Sequence, residues 1–75
     1  MLKNEEYARD ILAKNIKKYR QINNISQEDL AEELESTPAY ISQLENAKKD
    51  KIYIDQLDIL SDLFNISVSE MFKVD

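Results

Sequence analysis

The chain has 75 residues and a formal net charge of -5, which leaves room for one small domain around a single core and no second one. It contains neither cysteine nor histidine, which excludes a disulfide framework, a thiolate or imidazole metal site and the commonest general base. A composition of 43% hydrophobic and 33% charged residues reads as folded, and an isoelectric point near 4.6 argues at first against a polyanionic partner. No apolar run approaches the roughly 18 residues of a membrane span, and "MLKNEEYARD" lacks a signal-peptide core, so a cytoplasmic location and no membrane partner are expected.

With no glycine and one proline, helix ends must be read from caps and from asparagine. A first helix is expected from about Asn4 to Ile22, with Tyr7, Ile11, Ile16 and Tyr19 near a 3.6-residue stripe, Leu12 beside it, and Asn23 and Asn24 as the stop. "SQEDLAEEL" predicts a second helix over about 27–34, with Ser26 as N-cap, acids in its first turn and Leu30, Ala31 and Leu34 inward. "TPAYISQLE" predicts a third over about 38–45, capped by Thr37, with Pro38 at the first helical position and Ile41 and Leu44 facing the core. Only Glu35 and Ser36 lie between them, so the two helices meet across a tight turn.

A fourth helix, about 54–64, places Ile54, Leu57, Leu60 and Phe64 on one side with Asn65 as a left-handed stop. A fifth, about 68–73, opens with what reads as a complete capping box from Ser67 to Glu70 and presents Val68, Met71 and Phe72. No segment alternates as a strand does, so the expected fold is all-α, one compact five-helix domain over residues 1–75.

Charge is segregated along the chain. Residues 1–25 carry six basic and three acidic groups, residues 26–45 six acidic and no basic ones, residues 46–51 three lysines against Asp50, and residues 52–75 Lys73 against five acids. Lys14, Lys17, Lys18 and Arg20 end the first helix, and Lys48, Lys49 and Lys51 follow the third. Lysines at helix ends commonly just complement dipoles; two clusters bracketing one helix pair point instead to a positive rim around a nearly uncharged helix face.

The run "ISQEDLAEEL...YISQLEN...L..LSDLFNIS" resembles the helix-turn-helix domain of phage repressors and Cro proteins, including the controller proteins of restriction systems, over about Ile16 to Phe72. The resemblance implies a lambda-repressor-like fold whose third helix enters the major groove of double-stranded DNA. It implies base reading by Ala39, Tyr40, Ser42 and Gln43, with Gln43 suited to adenine and Ala39 to a thymine methyl. Plainer uses stay open: Pro38 starts the helix, Ala39 favours it, Tyr40 could cover the rim of the core and Ser42 could be solvated. It implies phosphate contacts from Gln27, Thr37, Asn46, Lys48, Lys49 and Lys17, with Lys51 as an addition. Arg20 and Glu45 match an internal ion pair that fixes the reading helix, whose disruption would cost about 3–5 kcal/mol if deeply buried.

Family members often have glycine where this chain has Asn24, Glu35, Ala47 and Asn65. Glu35 and Ala47 are poor substitutes for a left-handed backbone, so a local difference in turn geometry is expected there. Family members usually bind palindromes as two-fold dimers, which implies a homodimer joined through Tyr53, Leu63, Ile66, Met71, Phe72 and Val74. Since the sequence ends just after the fifth helix, a stand-alone regulator with no cofactor and no small-molecule effector is expected. Two rival functions stand beside this one. An enzyme lacks histidine, cysteine and a phosphate-cradling glycine loop; a protein-interaction module of the same fold, such as an antitoxin, remains open to an acidic chain.

Overall fold

The computed structural model describes residues 7–49 and 51–74. Among them run four α-helices, α1 (Ala8–Ile22), α2 (Gln27–Glu33), α3 (Pro38–Glu45) and α4 (Ile54–Phe64), followed by a 3-10 helix, Val68–Phe72. The expected start of the first helix at Asn4 falls in residues 1–6, outside the described residues; Tyr7 occupies the N-cap position of α1. No described helix is long and apolar enough to cross a membrane.

Capping follows the sequence at three starts. Ser26 Oγ accepts the Asp29 amide at 3.0 Å, Thr37 Oγ1 the Tyr40 amide at 3.2 Å, and Ser67 Oγ the Glu70 amide at 3.2 Å. The box expected at Ser67 is only half formed, because the Glu70 carboxylate turns to the Lys73 ammonium at 3.5 Å. The five residues that follow wind as a 3-10 helix, the tighter form usual in short pieces.

Each α-helix ends in the same way. After α1 the Ile25 amide donates to the Arg20 carbonyl and the Asn24 amide to Gln21, a Schellman pair that recurs after α2 (Ser36 to Ala31, Glu35 to Glu32), α3 (Lys48 to Gln43, Ala47 to Leu44) and α4 (Ile66 to Ser61, Asn65 to Asp62). The motif requires a left-handed residue, and Asn24, Glu35, Ala47 and Asn65 supply it with φ of 56°, 53°, 56° and 56°. The expected departure at Glu35 and Ala47 is therefore not found: both take the backbone that glycine favours, held there by paired hydrogen bonds.

The core gathers Leu12 and Ile16 of α1, Leu30, Ala31 and Leu34 around α2, Ile41 and Leu44 of α3, Leu60 and Phe64 of α4, and Met71. The Tyr19 ring stacks on Phe64 with centroids 6.0 Å apart. Two residues expected in the core lie outside it: Tyr7 is 55% exposed and Ile54 75% exposed, each at the N-terminal end of its helix. Asn15 is the buried polar residue of α1, and its Nδ2 donates to the carbonyls of Met71 at 2.7 Å and Lys73 at 2.9 Å. That pair of bonds fastens the 3-10 helix to α1 and turns Met71 fully inward.

Candidate nucleic-acid interface

The arrangement begins at Arg20. Its Nε donates to Glu45 Oε2 at 2.5 Å, its Nη2 to Glu45 Oε1 at 3.2 Å and its Nη1 to the Ile25 carbonyl at 2.9 Å. Gln27 adds a fourth bond, from Nε2 to Glu45 Oε1 at 3.1 Å. The Glu45 side chain is 3% exposed and that of Arg20 13%, so the pair is well desolvated, and its carboxylate accepts three hydrogen bonds from the end of α1 and the start of α2. The cluster sets the end of α3 against both other helices.

It also removes a charge. Glu45 is the one charged residue of α3, and with its carboxylate enclosed the helix offers solvent a neutral surface: Pro38, Ala39 and Gln43 are exposed there, with Thr37 before them and Asn46 after. Ile41 and Leu44 are buried, as the stripe predicted. Gln43 makes no side-chain hydrogen bond among the described residues, so its amide is unspent. Ser42 is half-buried, and its carbonyl accepts the Asn46 Nδ2 at 2.8 Å, with a longer contact of 3.4 Å from the same nitrogen to its hydroxyl.

Tyr40 is placed differently from its neighbours. It is half-buried, its hydroxyl donates to Gln56 Oε1 at 2.6 Å, and the Lys49 ammonium lies 5.5 Å from the centroid of its ring. Burial disfavours the phenolate and holds its pKa above the usual 10. Tyr40, Lys49, Lys51 and Tyr53 line one open hollow beside α3.

Among the expected phosphate ligands, Lys48 is exposed and Lys49 half-buried in the segment just beyond α3. Asn46 and Thr37 carry capping bonds but are exposed. Gln27 spends one amide proton on Glu45, leaving its other proton and its backbone N–H. Lys17 is exposed on α1, and no hydrogen bond or ion pair among the described residues ties it to α3. Sequence reasoning missed Gln56, an amide in the first turn of α4 that periodicity alone treats as solvated.

The surface expected for dimerisation needs one correction. Met71 has no exposed area and belongs to the core, because Asn15 draws its backbone against α1. Leu63, Ile66 and Phe72 are half-buried and packed against the core, whereas Tyr53 is 74% exposed and Val74 65% exposed. Ile54, expected inside, joins Tyr53 as an exposed apolar residue. No cluster of three or more metal-binding side chains occurs among the described residues.

Comparison with known proteins agrees with the helical fold. A helix-turn-helix family profile covers residues 16–71. A control protein, C.SmaI of Serratia marcescens, is 40% identical over 63 residues, spanning 84% of this chain and 74% of that one. Two solved structures share the fold: the clp gene regulator ClgR from Corynebacterium glutamicum, with a TM-score of 0.80 at 24% identity over 89% of this chain and 70% of that one. The second is the hypothetical transcription factor NHTF from Neisseria, with a TM-score of 0.78 at 22% identity over 97% and 83%. The family comprises regulatory DNA-binding proteins rather than enzymes, and the chain belongs to it: a helix-turn-helix transcription regulator of the Cro and phage-repressor type, homologous to a control protein.

Proposed function

We propose that the protein binds a palindromic DNA operator as a homodimer, each copy laying α3 in the major groove. The observation that carries this reading is the uncharged solvent face of α3, made so by the enclosure of Glu45, with Lys48, Lys49 and Lys51 directly beyond it. Gln43 is the principal base reader, its free amide able to pair in bidentate fashion with adenine; Ala39 packs on a thymine methyl and Ser42 reaches a base edge or phosphate. Lys48 and Lys49, with Thr37, Asn46, the N–H of Gln27 and Lys17, bind the backbone and carry affinity without sequence information. Tyr53, Ile54, Leu63, Ile66, Phe72 and Val74 form the contact between copies. Occupancy then follows the protein's own concentration through dimerisation.

Selection of bound sites from random duplex DNA, followed by binding at several salt and protein concentrations, tests the reading. A two-fold site is expected, with log affinity falling linearly in log salt by about 0.9 per phosphate contact. Gln43→Ala should relax preference at one position per half-site by about 1–3 kcal/mol, while Lys48→Ala weakens all sequences alike. Salt-independent binding, or selection of no sequence, would point to a protein partner instead.

A further inference from the structure

Tyr40 stands among the base readers of α3, yet its polar atom is already engaged. The hydroxyl donates to Gln56 Oε1 at 2.6 Å, a bond between α3 and the first turn of α4. The segment spanned by that bond carries Lys48, Lys49 and Lys51, and the Lys49 ammonium lies 5.5 Å from the Tyr40 ring centroid. Tyr40, Lys49, Lys51 and Tyr53 share one hollow, so the tyrosine touches the lysine segment at both its tether and its middle.

We propose that Tyr40 is a positioning residue for the backbone-binding lysines and does not read bases. The inference rests on the DNA-binding reading above and gives another role to a residue that the family resemblance puts among the base readers. The hydroxyl pins α4 to α3 and thereby fixes the two ends of the lysine segment; the ring seats the Lys49 ammonium through its electron-rich face. A lysine held near its bound geometry loses less rotamer freedom when it meets a phosphate. Such help is the same for every sequence. It raises affinity and leaves base preference alone.

The test uses the intact protein and the operator it selects, measuring affinity for all single base-pair variants of that site. Tyr40→Phe, which keeps the ring and loses the bond, should weaken every variant by one common factor of about 2- to 10-fold. Gln56→Leu breaks the same bond from the other side and should reproduce the effect, which keeps the test open if a change at Tyr40 impairs folding. Lys49→Ala should weaken the wild type more than it weakens Tyr40→Leu, because the seat is already gone. A changed preference at one base pair per half-site in Tyr40→Phe, or fully additive effects of Lys49→Ala and Tyr40→Leu, overturns the proposal.

A second readout needs no DNA. The ring should shift the Lys49 ε-methylene proton resonances upfield in the free protein, and Tyr40→Leu should abolish the shift. A wild type without that shift overturns the seating of Lys49 while leaving DNA binding standing. A wild type that shows the shift but selects no DNA sinks the DNA-binding reading, and the proposal with it.

Discussion

Ala47 and Glu35 show how far a hydrogen-bonding pattern can override a side chain's own preference. A left-handed backbone costs a residue with a Cβ about 1–2 kcal/mol, while glycine returns part of that saving as extra freedom in the unfolded chain. Ala47→Gly and Glu35→Gly should therefore each stabilise the fold by about 0.5–1 kcal/mol, raising the melting temperature by several degrees in a domain of this size. Thermal and urea unfolding measure it, and a loss of stability in both variants would mean that the left-handed caps carry no strain. The two asparagine stops were legible in the sequence because asparagine tolerates this conformation. The other two were not, since nothing about alanine or glutamate announces it; only the glycines of related chains marked the positions. The Arg20–Glu45 pair was legible through the same resemblance, and its two hydrogen bonds join the ends of α1 and α3.

The helices themselves were readable from apolar spacing, and the bounds of α3 and α4 match the expected ones. What spacing does not reveal is how a short terminal turn is held. Asn15 sits in an otherwise ordinary amphipathic helix, where a lone asparagine reads as solvated, yet it is 4% exposed and satisfies two carbonyls of the 3-10 helix and its end. Asn15→Ala leaves the Met71 and Lys73 carbonyls without these partners and should cost about 1–3 kcal/mol. Amide hydrogen exchange should then quicken over residues 68–73 before it does in α2 and α3. Uniform acceleration across all the helices would show that this segment does not open as a unit. The same latch explains why Met71 was misplaced at the surface: its helix is too short for periodicity to fix a face, and a partner 56 residues away decides it.

Charge has to be considered over all surfaces at once, because a net value of -5 conceals a division between them. Glu28, Asp29, Glu32 and Glu33 are all exposed on α2, and the last two lie in its final turn, where the helix dipole disfavours anions. Glu32→Gln combined with Glu33→Gln takes the net charge from -5 to -3. It should raise affinity for every duplex alike by roughly 3-fold at low salt, the gain shrinking as the ionic strength approaches physiological values. Competition between selected and random duplexes measures it; a shift in base preference would place these acids within the reading surface. The enclosed Glu45 also has a practical side. On an anion-exchange resin this protein should be retained as any acidic chain is, whereas a heparin column would meet chiefly its lysine-bearing flank. Surveys that sort regulators by isoelectric point would overlook a molecule whose overall sign is opposite to that of the lysine-bearing segment after α3.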